Sequence, residues 1–341
     1  MARKPISHSV LYYKRMIALT LLLILLALTA LSIVLGVRLR AARAALSEAE
    51  DEVLRYDMEE MQRRAEEEAE RLKNAVPPEQ AKPKGERSAP EILATNHIVA
   101  HALGAVDGVE SLNCLEGFKA AYDDGVRVFE VDLRMTSDGY VVLRHDWLGN
   151  LQDGIDTTHI PTLDEFFTKP ILGKYTPLSF RDLLLLMAQY PDICVITDTK
   201  FTDAEPVTEQ FLSMLDDARG LGMSYLFDRM VIQVYSPEHF TVVDGVYHFP
   251  HYIYTLYQES FGQNEDAFRR KAVFCEENGI MGITLEQGRW DEDYLPIANW
   301  RGVKVFVHTV NSASEARRLL RGGVTGVYSD FLIPADVEEG Q

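Results

Sequence analysis

The chain has 341 residues, 47% of them hydrophobic and 25% charged, which is globular composition with room for one barrel-sized domain plus appendages. Its 52 acidic and 34 basic side chains give a formal net charge of −18, which argues against a nucleic-acid partner: phosphate backbones are bound through clusters of Lys and Arg, and none is visible here. An acidic domain that still handles phosphate calls for a metal ion, and the three scattered cysteines, Cys114, Cys194 and Cys275, suggest neither a disulfide framework nor a zinc site.

Residues 1–16 read as a short cytoplasmic N-terminus. From Ile17 to Val37 the chain is uncharged and dominated by Leu, Ala and Ile. At ~1.5 Å per residue this stretch spans a ~30 Å hydrocarbon core, so a transmembrane helix is predicted over 17–37. The competing reading is a cleaved signal peptide, whose apolar core is usually only ~7–15 residues. Tyr12, Tyr13, Lys14 and Arg15 resemble an interfacial belt with a cytoplasmic flank. The expectation is therefore a single-pass cell-membrane protein, N-terminus inside and catalytic domain extracytoplasmic. Residues 38–75, rich in Ala, Glu, Arg and Leu without Gly or Pro, predict a charged helical stalk. Leu39, Ala42, Leu46, Ala49 and Val53 keep a 3-4 spacing that Leu54, Met58 and Met61 resume in a shifted register. That seam suits either a weak coiled-coil homodimer or a solitary helix. Pro77, Pro78, Pro83, Gly85 and Pro90 mark a polar linker over 76–94, and the folded domain is expected over 95–341.

Short β-branched runs then alternate with helix-length segments. Strands are predicted at Ile98–His101, Arg127–Asp132, Tyr140–His145, Ile193–Asp198, Met230–Tyr235, Tyr252–Tyr257, Ile280–Glu286, Lys304–His308 and Gly326–Ser329. Only Leu133–Gly139 separates the second from the third, and Ser137-Asp138-Gly139 is a turn signal, so Tyr140–His145 reads as the return arm of a hairpin. Eight strands remain for a parallel (β/α)8 TIM barrel, an α/β fold of ~250 residues.

Barrel enzymes place their chemistry at the C-terminal ends of the strands, and the polar residues fall there. His101 closes the first strand. Glu130 and Asp132, two apart, share one side of the second. His145 ends the hairpin arm, and Asp198 and Lys200 repeat the two-residue spacing on the next strand. Converging carboxylates repel unless a cation lies between them, and all-oxygen ligation by Glu130, Asp132 and Asp198 suits Mg²⁺ or Ca²⁺. Lys200 would complement a phosphoryl oxygen as a point charge. His101 and His145 supply the acid and base that phosphodiester cleavage needs. Gln233, Tyr235, Glu286 and His308, at neighbouring strand ends, are candidate substrate contacts. His97, His239, His248 and His251 show no partner spacing and read as structural.

At these residues the chain resembles the glycerophosphodiester phosphodiesterase family of the phosphatidylinositol-specific phospholipase C-like superfamily. The likeness runs from His97 to Phe331: His101 on the first strand, Glu130-Val131-Asp132, the turn Thr136–Gly139, His145-Asp146, Thr309-Val310-Asn311 and Thr325–Asp330. It implies a TIM barrel, a divalent metal and two catalytic histidines acting on a small phosphodiester or phospholipid head group. Three positions depart from the pattern. Ala102 stands where the family has Arg, Leu112-Asn113-Cys114 where it has Glu-Asn-Thr, and Asp198-Thr199-Lys200 where it has Glu-x-Lys. Arg134 and Arg144 are candidate replacements for the missing Arg. The Asp-x-Lys form is similar to sphingomyelinase D-like lyases, which form a cyclic phosphate. A phospholipase D-like lyase is thus one alternative to a hydrolase, and a catalytically silent binding module is another.

Overall fold

The structure is a computed structural model that describes Met16 and residues 79–147, 159–258 and 264–338. The chain divides into two compact units, Met1–Ala75 and Val76–Gln341, and the second holds the barrel. The predicted transmembrane helix at 17–37 and the stalk at 38–75, with its dimer, lie outside the described residues. Among the described residues no helix is long and apolar enough to cross a membrane, which overturns the expected localisation as a single-pass membrane protein with an extracytoplasmic barrel. The helix Ala204–Leu221, 18 residues long, is amphipathic and packs on the barrel. It buries Val207, Phe211, Met214 and Leu215 on one side and carries Glu205, Glu209 and Asp216 on its other positions.

Among the described residues nine strands form one sheet: β1 Ile98–Ala100, β2 Val128–Met135, β3 Val141–Leu143, β4 Cys194–Asp198, β5 Met230–Val234, β6 Tyr252–Thr255, β7 Gly282–Glu286, β8 Lys304–His308 and β9 Gly326–Ser329. The order runs β1-β9-β8-β7-β6-β5-β4-β2-β3, and a further β1–β2 pairing closes the eight parallel strands into a barrel. β3 stands outside it, antiparallel to the far end of β2 through Leu133↔Leu143 and Met135↔Val141. The hairpin arises because Thr136 to Gly139 is a turn, with Gly139 at φ +86° and the Thr136 N–H on the Tyr140 carbonyl at 2.9 Å. Too few residues remain there for a crossover helix.

Two apolar layers carry the fold. Inside the barrel, Val99, Val128, Ile196, Val231, Ile253 and Phe306 pack together. Outside it the opposite strand faces meet the helices through Phe129, Phe211, Phe227, Phe268 and their neighbours. Residues 79–94, expected as a linker, lie against the barrel floor. The helix Ala89–Leu93 buries Ala89, Ile92 and Leu93 in the inner cluster. Its capping box joins Ser88 and Glu91, and Pro90 sits in its first turn, where the missing N–H costs nothing. Just ahead of it Glu86 forms a buried ion pair with Arg229, 2.6 Å apart.

Candidate active site at the barrel mouth

The turn after β1 delivers the first histidine. His101–Leu103 forms a single 3₁₀ turn, and Ala102, Leu103 and Gly104 all take positive φ. The helix Leu115–Asp123 presses on this turn so closely that a Cβ at Gly117 would come within 2.6 Å of the Gly104 carbonyl oxygen, so glycine is required there. His101 is thereby held with Nδ1 2.7 Å from Asp330 Oδ1, just beyond β9. Its Nε2 lies 3.9 Å from Glu130 Oε2. Burial opposes protonation of His101, but the hydrogen bond to Asp330 and the charges of Glu130 and Asp132 outweigh it and raise the imidazole to about 9. Asn311 braces the arrangement: its amide donates to Asp330 Oδ2 at 2.7 Å, and its carbonyl accepts from the Asp330 N–H at 2.9 Å.

Glu130, Asp132 and Asp198 are all buried and offer carboxylate oxygens within 4.8 Å of one another. β2 sets Glu130 and Asp132 on one side, and the β2–β4 register places Asp132 directly beside Asp198. Each carboxylate has its own anchor. Glu130 Oε2 accepts from the Ala102 N–H at 2.8 Å. Asn113, fully buried, donates to Asp132 Oδ2 at 2.7 Å and accepts from the Asp132 N–H at 3.0 Å. Asp198 accepts from Tyr235 Oη, from Lys200 Nζ, and from Tyr257 Oη at 3.0 Å. Lys200 Nζ also lies 2.7 Å from Asp132 Oδ1.

Were all three carboxylates ionised, the one ammonium among them would leave two negative charges in a buried space. The strain shows at Glu130, whose carboxyl is raised far above the usual range, first by burial and then by the charge of Asp132. Asp132 is held low because Lys200 and Asn113 outweigh its burial. This donor set fits a hard divalent cation, which would cancel the two surplus charges.

A cavity of about 160 Å³, open at its mouth, adjoins the trio. His101, Glu130, Asp198 and Lys200 line it together with Gln233, which stands next to Asp198 on the adjacent strand β5, and with Glu286 and His308. Tyr235 is absent from that lining, with its hydroxyl turned to Asp198. His145 is also absent. It stands at the outer rim, half-exposed, with Nδ1 2.8 Å from Asp146 Oδ2. Neither Arg134 nor Arg144 reaches the cavity wall. Arg134 donates to the His145 carbonyl at 3.0 Å, and Arg144 to the Asp146 carbonyl at 2.8 Å, so both brace the loop that carries His145. His239 is buried against the Tyr235 ring, and burial lowers its imidazole to about 4. Sequence reasoning missed Asp330, Asn113 and Tyr257. A signal existed for the first two, since both fall inside the quoted motif stretches.

Residues 110–333 match the model of the glycerophosphoryl diester phosphodiesterase family. Solved structures share the fold. A phosphodiesterase from Oleispira antarctica, in complex with the product sn-glycerol-3-phosphate, aligns with TM-score 0.58 and 18% identity over 74% of this chain and 98% of its own. A glycerophosphodiester phosphodiesterase from Parabacteroides distasonis aligns at 0.55 and 15% identity over 70% of this chain and 93% of its own. One from Agrobacterium tumefaciens aligns at 0.53 and 17% identity, over 70% and 97%. The chain belongs to the glycerophosphoryl diester phosphodiesterase family and is a phosphoric diester hydrolase.

Proposed function

We propose that the protein hydrolyses a glycerophosphodiester, with His101 and His145 as the acid–base pair and Glu130, Asp132 and Asp198 as ligands of one divalent cation, Mg²⁺ or Ca²⁺. The observation that carries this reading is the buried trio beside Lys200, with a histidine imidazole 3.9 Å from one of its carboxylates. When bound, the cation would neutralise phosphoryl charge and polarise the phosphorus for attack.

The chain's own residues account for the remaining steps. Lys200 complements a second phosphoryl oxygen, a role that needs its ammonium released from one of its two carboxylates. One histidine accepts the proton of the attacking water as the new P–O bond forms. The other donates a proton to the departing alkoxide as the old P–O bond breaks, so no free alkoxide is expelled. Asp330 holds the His101 tautomer through Nδ1 and leaves Nε2 facing the cavity. Asp146 does the same for His145, whose half-exposed ring is free to approach a substrate seated at the rim. Gln233, Glu286 and His308, which line the same cavity as Lys200, offer hydrogen bonds to a polyol such as the glycerol moiety. The product bound in the Oleispira antarctica structure is of that class.

The domain reading that accompanies this function is a phosphodiesterase barrel carried on N-terminal appendages. Release of glycerol phosphate from a glycerophosphodiester, lost with chelator and in Glu130→Gln, tests the proposal. Turnover that ignores both treatments would remove the metal from the account.

A further inference from the structure

Asp198 is the last residue of β4, and among the described residues only side chains donate to its carboxylate. It stands in register beside Asp132 on β2. Two adjacent buried carboxylates repel, and an unsupported Asp198 would turn away from its neighbour. The Lys200 ammonium bridges the two from one side, and two phenols hold Asp198 from the other. Tyr235, directly after β5, is 2% exposed and donates to Asp198 Oδ1. Tyr257, two residues past β6, has its hydroxyl 3.0 Å from both Oδ1 and Oδ2. Both donors come from the strands on the far side of Asp198 from Asp132, so they fix the carboxylate while its oxygens stay within reach of Glu130 and Asp132.

The phenols are themselves immobilised. The Tyr235 ring packs on His239 at 4.7 Å between centroids and edge-on to Tyr257 at 5.7 Å. Its oxygen accepts from the Lys200 N–H at 3.0 Å, which ties the left-handed Lys200 backbone to the same point. A phenol is a neutral donor at working pH, so these contacts orient the carboxylate without cancelling the charge that a cation needs.

We propose that Tyr235 and Tyr257 are positioning residues for Asp198, holding its carboxylate in the orientation in which the trio takes a divalent cation. The proposal rests on the reading of the trio as the metal site. Outer partners of metal ligands typically set affinity by about 10–100-fold. Tyr235 was expected among the substrate contacts; here its hydroxyl serves Asp198.

The test is calorimetric titration of the purified full chain with Mg²⁺ and with Ca²⁺, for wild type, Tyr235→Phe, Tyr257→Phe, the double variant and Asp198→Asn. The metal-free thermal midpoint of each is measured alongside. The expected result is about a 10-fold loss of affinity in each single Phe variant and a larger loss in the double, with metal-free midpoints unchanged and turnover recovered at saturating metal. Wild-type affinity in both Phe variants, with binding abolished in Asp198→Asn, would overturn the positioning role and leave the metal site standing. Wild-type affinity in Asp198→Asn would overturn the metal reading itself. A metal-free midpoint that falls in step with affinity would mark the phenols as packing residues and also overturn the role. Tyr257 borders the open cavity, so its variant keeps the test decisive if Tyr235→Phe fails to fold.

Discussion

His101 and Asp330 are joined by a hydrogen bond of 2.7 Å that spans the seam between β1 and β9, the first and last strands of the barrel. Closing the barrel therefore also sets the imidazole. Asp330→Asn should leave the fold intact and lower turnover by about 10–100-fold, as loss of an orienting partner does. It should also move the His101 titration. In the metal-free protein, histidine NMR should find this imidazole at about 9, well above its unfolded value near 6.5. A raised folded value means that its contribution to stability is present below pH 6.5 and is lost as pH rises through 9. Asp330→Asn should lower the titration, and a divalent cation added to the trio should lower it further. An imidazole that titrates unchanged in Asp330→Asn would show that the bond has no electrostatic role.

The acidic trio makes opposite predictions with and without metal. Glu130 is raised by burial and by Asp132, so the metal-free protein should lose stability as pH climbs toward the folded value and Glu130 ionises. Glu130→Gln keeps an acceptor for the Ala102 N–H and removes that loss. Its metal-free thermal midpoint should be higher at alkaline pH, on the order of 1 kcal/mol. With metal the order reverses: wild type should gain about 2.7 kcal/mol at a concentration of 100 times Kd, and the variant little. Scanning calorimetry of both proteins at two pH values, with and without metal, reads these differences.

Asp217, on the helix Ala204–Leu221, is raised to about 6, chiefly by burial, with Asp216 and Asp182 adding to it and Arg181 opposing it. The folded state thus favours the protonated form. Its contribution to stability is complete below pH 3.8 and is lost as pH passes through about 6. Asp217→Asn should therefore stabilise the protein at pH 7, on the order of 1 kcal/mol once solvent screening is discounted, and give no gain at pH 4. Urea midpoints at the two pH values check this.

Arg229 and Glu86 meet under the barrel at 2.6 Å, both fully buried. Arg229 also donates to the carbonyls of Tyr190 and Ile193 at 3.1 Å. Removing one member of such a pair strands the other, so Glu86→Ala should cost about 3–5 kcal/mol. A variant that begins at Thr95 should lose at least as much, since it also removes Ile92 and Leu93 from the inner apolar cluster. An unchanged unfolding midpoint would return residues 79–94 to the status of a linker.

How far the sequence was legible varies with the range of the interactions. Strand positions were readable because each buries a continuous apolar run; β8 and β9 match the expected bounds, and β4 and β5 differ by one residue. The Glu130/Asp132 pair was readable because period-two spacing is local. The partners of Asp330, Tyr235 and Tyr257 were not, since they lie 229, 37 and 59 residues away, and only the barrel register brings them together. The floor helix was hidden for a different reason. Its prolines and charges look like linker composition, while Ala89, Ile92 and Leu93 are too few to show a period.

The central claim, that this is a metal-dependent phosphodiesterase worked by His101, is tested most directly by phosphorus NMR. The purified protein would be incubated with glycerophosphodiesters and Mg²⁺ or Ca²⁺, beside a His101→Ala control. An open glycerol phosphate product should appear only with metal and fall by at least about 100-fold in the control. A cyclic phosphate product would contradict hydrolysis, and equal turnover by His101→Ala would contradict the proposed active site.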